Sequence, residues 1–312
     1  MALKLVDNVM HVKANSTMRL FSPAKVNLHL AVTGKRDDGF HELISLVSPI
    51  SFGDYLTVTR LDTPAGIEFS CTEESVPTGE ANLVVQAARA FLDSVDSSVG
   101  LKIHLEKYIP MEAGLGGGSS NAATTLLMLN ELFGGPKDVG GLSQLAENLG
   151  SDCSLFLHQA PVLMRGRGER IEQLPREVIL ELAGRSIAVF KPGVGISTAW
   201  AYDQLKSHHG LYANAVEVEE KISHWREGRI DLEDLLFNTF EKAVFEKYVL
   251  FPALFDQINA ELGLKCLMSG SGSSCVALLT DVSQGEKLKL IVNEALGEDA
   301  FFEFCRLGWK KE

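Results

Sequence analysis

Apolar and polar residues alternate along 26–32. Val26, Leu28, Leu30 and Val32 fall on one side and Asn27 and His29 on the other, which predicts a half-buried strand within 19–32. Leu56 and Val58 alternate with Thr57 and Thr59, so 54–60 reads as a strand, as does 66–71, and 41–50 carries an apolar pattern of its own. Between the first two runs, 34–39 is a polar turn holding Lys35, Arg36, Asp37 and Asp38. Over 82–95 the period changes: Leu83, Val84, Ala87, Ala88, Phe91, Leu92 and Val95 recur at helical spacing. Residues 101–105 alternate again, and Ala122, Ala123, Leu126, Leu127, Leu129 and Leu132 predict a helix to residue 133. A further helix over 142–149 has Gly150 as its expected C-cap. A strand at 186–191, helical patches to residue 262, a strand, small-residue loop and strand over 264–280, a helix over 287–296 and a closing strand over 301–307 complete the pattern. Strands interleaved with helices predict a mixed α/β (α+β) chain. The polar stretch 169–181, with Pro175 inside it, predicts a domain boundary near residue 180, giving domains 1–180 and 181–312.

One stretch carries chemistry and no packing. Pro110-Met111-Glu112-Ala113-Gly114-Leu115-Gly116-Gly117-Gly118-Ser119-Ser120-Asn121 leads from the 101–105 strand straight into the helix after it. Small residues in series allow backbone N–H groups to approach a bulky anion, and the helix N-terminus behind them adds a favourable dipole. A flexible helix-entry turn is the other reading of such a run. The P-loop pattern fails because no lysine follows these glycines, and G-x-G-x-x-G fails because Ser119 stands where the last glycine belongs.

Composition narrows the setting. The 312 residues, 46% hydrophobic and 22% charged, suit a globular chain of one large or two ordinary domains. With 29 Lys+Arg against 41 Asp+Glu, the formal charge of −12 opposes nonspecific binding to nucleic acid or an anionic membrane, so a polyanionic ligand needs a local site. Five cysteines (Cys71, Cys153, Cys266, Cys275 and Cys305) without a C-x-x-C pair suggest neither a disulfide framework nor a zinc site, which favours a reducing cytoplasm. Residues 1–18 lack the continuous apolar region of a signal peptide and read as an extension.

Three spaced motifs stand together: Pro23-Ala24-Lys25-Val26-Asn27-Leu28, the 114–121 loop, and Met268-Ser269-Gly270-Ser271-Gly272. The set resembles the GHMP family of small-molecule kinases. Residues 23–30, the segment Thr33-Gly34-Lys35-Arg36-Asp37-Asp38-Gly39-Phe40-His41-Glu42-Leu43, the run Gly116-Gly117-Gly118-Ser119-Ser120-Asn121-Ala122-Ala123 and Pro192-Gly193-Val194 are similar, within that family, to the member acting on 4-diphosphocytidyl-2-C-methyl-D-erythritol in the non-mevalonate isoprenoid pathway. The resemblance spans residues 19–280. It implies a two-domain fold, with an N-terminal domain like ribosomal protein S5 domain 2, containing a left-handed crossover, and a ferredoxin-like C-terminal domain. It further implies ATP and Mg²⁺, a small-molecule acceptor phosphorylated on its 2-hydroxyl, no nucleic-acid or membrane partner, and a cytoplasmic monomer or homodimer.

The same resemblance implies roles for individual residues. Pro110, Gly114, Leu115, Gly116, Gly117, Gly118, Ser119, Ser120 and Asn121 form the triphosphate loop. Asp152, in Leu149-Gly150-Ser151-Asp152, is the implied catalytic base, although an Asp after a helix-ending glycine also reads as the N-cap of the next helix. Lys25 is its implied electrostatic partner. Asn27 and His41 are implied substrate contacts, with His41 at the cytosine edge, Phe40 and Tyr202 stacking on the base, and Thr198 as a second substrate-side hydroxyl. Asn82 is implied at adenine and reads equally as a helix N-cap. The resemblance assigns no Mg²⁺ ligands. Glu112 and Ala113 depart from the glycines common in the loop's first half, and Phe40 stands where Tyr is common.

Overall fold

The computed structural model describes residues 16–61, 63–207 and 209–308. Most of the N-terminal extension therefore lies outside the described residues. In chain order the elements are β1 (Thr17–Lys35), β2 (His41–Leu61), β3 (Ile67–Cys71), α1 (Leu83–Ser94), β4 (Gly100–Glu106), α2 (Gly117–Leu132), α3 (Val139–Glu147) and α4 (Cys153–Phe156). They continue with β5 (Val162–Gly166), β6 (Arg170–Gln173), α5 (Arg176–Leu182), β7 (Ser186–Lys191), α6 (Thr198–Ser207), α7 (Ala215–Arg226), α8 (Leu232–Leu235) and β8 (Phe237–Asn238). The last are α9 (Phe240–Lys247), α10 (Leu250–Leu262), β9 (Cys266–Met268), β10 (Cys275–Leu278), α11 (Val282–Leu296) and β11 (Phe301–Arg306).

These elements form two compact units, each drawn from several chain segments. One contains residues 16–22, Asp54–Tyr108 and Gly118–Leu157; the other contains Pro23–Gly53, Ile109–Gly117 and residues 158–308. A single cut near residue 180 does not describe them, and residue 180 itself falls inside α5. The reason lies in the core: Ala24, Val26 and Leu28 share one buried cluster with Ile187, Val189 and Val276. Early strands and late strands thus pack as one body.

In the first unit, β3 runs parallel to β4 from Ile67↔Leu101 to Cys71↔Leu105, and β4 runs antiparallel to the second half of β2 from Tyr55↔Glu106 to Leu61↔Gly100. Helix α1 buries Val84, Val85, Ala87, Ala88, Phe91 and Leu92, the apolar stripe read from its spacing. Helix α2 is buried nearly all round, including Ser120, Asn121, Thr124 and Thr125, so it is the unit's interior helix. Helix α3 is capped at Asn148 and not at the expected Gly150, although the Gly150 N–H still bonds to the Ala146 carbonyl at 3.2 Å.

In the second unit the first half of β2 pairs antiparallel with β5, and β5 pairs with β6. The short β8 lies parallel to β1 through His29↔Phe237 and Leu30↔Asn238. A separate four-stranded antiparallel sheet has the order β11-β7-β10-β9. Counted along the chain within that sheet the order is fourth, first, third, second, the ferredoxin-like arrangement of two βαβ halves. Helix α11 starts with a capping box between Asp281 and Gln284, and α10 ends on Gly263 at φ +66°. The runs 41–50 and 54–60, read as separate strands, are one continuous strand of 21 residues, because β5 takes its first half and β4 its second. No described helix is long and apolar enough to cross a membrane.

Candidate functional site

The glycine loop is built from left-handed backbone at alternate positions. Glu112, Gly114 and Gly116 have φ of +52°, +73° and +69°. Left-handed residues are one half of the alternation that builds an anion nest. Gly114 is also required by space, since a Cβ there would lie 2.5 Å from the Ser269 carbonyl oxygen and 2.9 Å from that of Gly272. Glu112 adopts the conformation a glycine takes most easily. Pro110 is half-buried where the loop begins, and Leu115 anchors the loop in the core.

Gly117 and Gly118 open α2 in helical conformation. Of the side chains that follow, Ser119 is half-buried and hydrogen-bonds the Cys153 thiol, which burial nevertheless pushes up to about 11. Ser120 and Asn121 turn inward: Ser120 Oγ shares a 2.8 Å hydrogen bond with Ser22 Oγ, and Asn121 Nδ2 donates to Ser22 Oγ at 2.9 Å and Asp54 Oδ2 at 3.0 Å. Both side chains are thus engaged within the fold.

On β1 the expectation of a half-buried strand gives way to one buried on both faces. Val26 and Leu28 enter the core, while Lys25, Asn27 and His29 line the opposite face with exposures of 5%, 6% and 1%. Lys25 Nζ donates to Asn27 Oδ1 at 2.6 Å, and the Lys25 backbone N–H donates to the Leu115 carbonyl at 2.9 Å. Asn27 Nδ2 donates to Ser45 Oγ at 2.9 Å, and Ser45 Oγ donates to the His29 carbonyl at 2.7 Å. His29 Nδ1 donates to the Leu235 carbonyl at 2.7 Å, and burial brings its imidazole down to about 4, so it is neutral at physiological pH.

The small-residue turn after β9 closes onto this strand. The Asn27 N–H donates to Ser269 Oγ at 3.2 Å, and Ser269 Oγ donates to the Gly114 carbonyl at 3.4 Å. Gly270, at φ +63°, sits so that a Cβ would come within 3.5 Å of both Lys25 Nζ and Asn27 Oδ1. Lys25 and Asn27, Gly114 and Leu115, and Ser269 and Gly270, drawn from three stretches separate in sequence, therefore meet within one unit. Asn238 holds the turn by donating to the carbonyls of Met268 at 2.6 Å and Gly270 at 2.8 Å. Glu241 accepts the Met268 N–H at 2.7 Å, and burial raises its carboxyl to about 7. Sequence reasoning missed Ser45, Asn238 and Glu241. Ser45 sits inside the apolar run 41–50 and Asn238 and Glu241 inside the helical patches before residue 262, where a lone polar residue gives no sign of its distant partner.

Asp152 stands at the N-cap position of α4 with φ −89° and ψ −7°, yet its side chain makes no capping hydrogen bond. It belongs to the first unit and Lys25 to the second. Asn82 is a full N-cap: Oδ1 accepts the Val84 N–H at 2.8 Å, and Nδ2 donates to the Pro77 carbonyl at 2.7 Å.

His41 opens β2, and its ring lies 4.7 Å from the Tyr202 ring at 31°. Tyr202 also meets Phe240 edge-on at 4.9 Å. His41 Nε2 is buried with no hydrogen-bond partner among the described residues, an open position for a ligand's polar edge. Burial, then Lys206 and Lys35, lower the His41 pKa, so this ring is neutral near pH 7. Phe40 is 50% exposed, with the Arg167 guanidinium 4.9 Å from its ring centre. Thr198 Oγ1, at the start of α6, shares a 2.7 Å hydrogen bond with Ser271 Oγ.

Comparison with known proteins identifies the family. Residues 82–163 match the GHMP kinases N terminal domain. A 4-diphosphocytidyl-2-C-methyl-D-erythritol kinase of Methylacidiphilum infernorum (isolate V4) is 39% identical over 267 residues, covering 83% of this chain and 85% of that protein. The crystal structure of a 4-(cytidine 5'-diphospho)-2C-methyl-D-erythritol kinase superposes with a TM-score of 0.77 at 33% identity, over 94% of this chain and all of the other. A homoserine kinase from Cytophaga hutchinsonii, at 17% identity and a TM-score of 0.70 over 98% of each chain, shares the fold alone. The chain belongs to the 4-diphosphocytidyl-2-C-methyl-D-erythritol kinases, within the GHMP kinase family.

Proposed function

We propose that this chain transfers the γ-phosphoryl group of ATP to the 2-hydroxyl of 4-diphosphocytidyl-2-C-methyl-D-erythritol, in the methylerythritol phosphate route to isoprenoid precursors. The observation that carries the reading is the joining of a buried, amine-bearing strand to a glycine loop by the Lys25 N–H to Leu115 carbonyl bond. Phosphoryl transfer needs little covalent chemistry from a protein; it needs positioning and compensation of charge.

The amides of Gly114, Gly116, Gly117 and Gly118, with the dipole of α2, receive the triphosphate. Asp152 takes the proton of the 2-hydroxyl as its oxygen attacks the γ-phosphorus and ADP leaves. The Lys25 ammonium, oriented by Asn27, stabilises the charge that develops on that oxygen. His41, through its open Nε2, meets the cytosine edge, with Phe40, Tyr202 and Thr198 on the acceptor side. Adenine contact at Asn82 competes with its capping bond to Val84. Mg²⁺ fits as the companion of ATP, because this cation keeps several waters and needs only one or two protein oxygens beside the phosphates. Ser119 offers such an oxygen, whereas Ser120 is turned inward. When bound, the ion neutralises charge on the β- and γ-phosphates. The setting is a reducing cytoplasm with no nucleic-acid or membrane partner.

ADP release in a coupled assay tests the acceptor. Turnover with the diphosphocytidyl acceptor and none with homoserine or phosphomevalonate supports the reading; indifference to the cytidyl group contradicts it.

A further inference from the structure

Asp54, on β2, is wholly buried. Its two oxygens reach the two ends of the glycine loop. Oδ1 accepts the backbone N–H of Tyr108 at 2.7 Å, just before the loop, and Oδ2 accepts from Asn121 Nδ2 at 3.0 Å, at the loop's far end one turn into α2. Lys107 Nζ donates to the same Oδ2 at 2.8 Å from a side chain only 8% exposed. Asn121 and Ser120 continue the network to Ser22 on β1.

Stability alone is a weak reason for such a pair, since apolar residues of similar volume often replace a buried ion pair without loss. A carboxylate does something apolar groups cannot: it fixes the spacing of two separate donors. The loop needs this from outside, because its glycines impose little restriction on their own backbone.

We infer that Asp54 is a positioning residue for the phosphate loop, holding the two ends at a set spacing so that the loop's amides are prearranged for the triphosphate. This rests on the reading of the loop as an ATP site. Asp54 itself touches no reacting atom.

The test uses the full-length chain. Asp54→Asn is combined with Lys107→Met, so that no buried ammonium is left unpaired, and Asn121→Ala serves as a parallel variant that keeps the ion pair and removes the Asn121 donations to Asp54 and Ser22. Thermal midpoint, calorimetric binding of a nonhydrolysable ATP analogue, and KM for ATP and for the acceptor are measured. In both variants the analogue binds and KM for ATP worsens by about 10- to 100-fold, with KM for the acceptor within about threefold of the unaltered chain. Analogue affinity within about twofold of the unaltered chain in either folded variant, or equal weakening of both ligands, overturns the inference. An unaltered chain that fails to bind the analogue contradicts the ATP reading itself, and takes this inference with it before any variant is made.

Discussion

Lys25 Nζ and Asn27 Oδ1 lie 2.6 Å apart on one face of β1, both nearly sealed from water. A lysine so placed has lost much of its freedom, and its ammonium points where the asparagine directs it. Lys25→Met is therefore expected to lower kcat by about 10²- to 10³-fold while leaving the ATP KM close to unchanged, in steady-state kinetics. Asn27→Leu is expected to lower kcat less and to lower thermal stability more. It removes an acceptor from Lys25 and a donor from Ser45, at about 1–3 kcal/mol for each buried group left unsatisfied.

Gly114 faces the Ser269 carbonyl so closely that no other residue fits. Gly114→Ala sets a Cβ 2.5 Å from that oxygen on backbone at φ +73°. The expected cost is about 2 kcal/mol or more, read as a lower denaturant midpoint, together with a raised KM for ATP because the loop must shift.

The alternation in 26–32 correctly located a strand and its two faces, but not that both are buried. That outcome depends on Ser45, Leu235 and Ser269, which arrive from distant segments and cover the polar face. The glycine run was legible as a tight loop leading into a helix from its composition. The steric need for Gly114 was not, because Ser269 lies far along the chain. Asp54 reads in sequence as the polar start of a strand, and only folding brings Tyr108 and Asn121 to its two oxygens. The β5–β6 hairpin escaped notice because Val162, Leu163 and Met164 are buried in succession without alternation, while β6 is polar and held partly by the Arg165–Glu172 ion pair.

Glu241 makes stability depend on pH in a defined direction. Its carboxyl titrates at about 7 in the folded chain against an ordinary value of 4.5. Between these values the folded chain keeps a proton that the unfolded chain has lost, so the contribution is full below 4.5 and declines as pH rises to 7. Glu241→Gln is expected to flatten that part of the thermal midpoint profile and to stabilise the chain at pH 8 by about 1–3 kcal/mol. A slope unchanged by the substitution contradicts the assignment.

Glu112 holds left-handed backbone and carries a negative charge on the loop proposed to bind triphosphate. Glu112→Gly relieves the backbone and removes the charge. ATP affinity is expected to rise by about two- to threefold at low ionic strength, with the gain fading as salt is added. The two conformational effects, relief of left-handed strain and added freedom in the unfolded chain, are each about 1 kcal/mol and opposite in sign, leaving the thermal midpoint nearly unchanged.

The most direct test of the account is single-turnover phosphoryl transfer by Asp152→Asn on 4-diphosphocytidyl-2-C-methyl-D-erythritol, at saturating ATP and acceptor. Because the substitution removes the proton acceptor and its charge but little volume, binding of both ligands is expected within about threefold of the unaltered chain, with transfer slowed by about 10³-fold or more. Transfer at a rate near that of the unaltered chain would contradict Asp152 as the base.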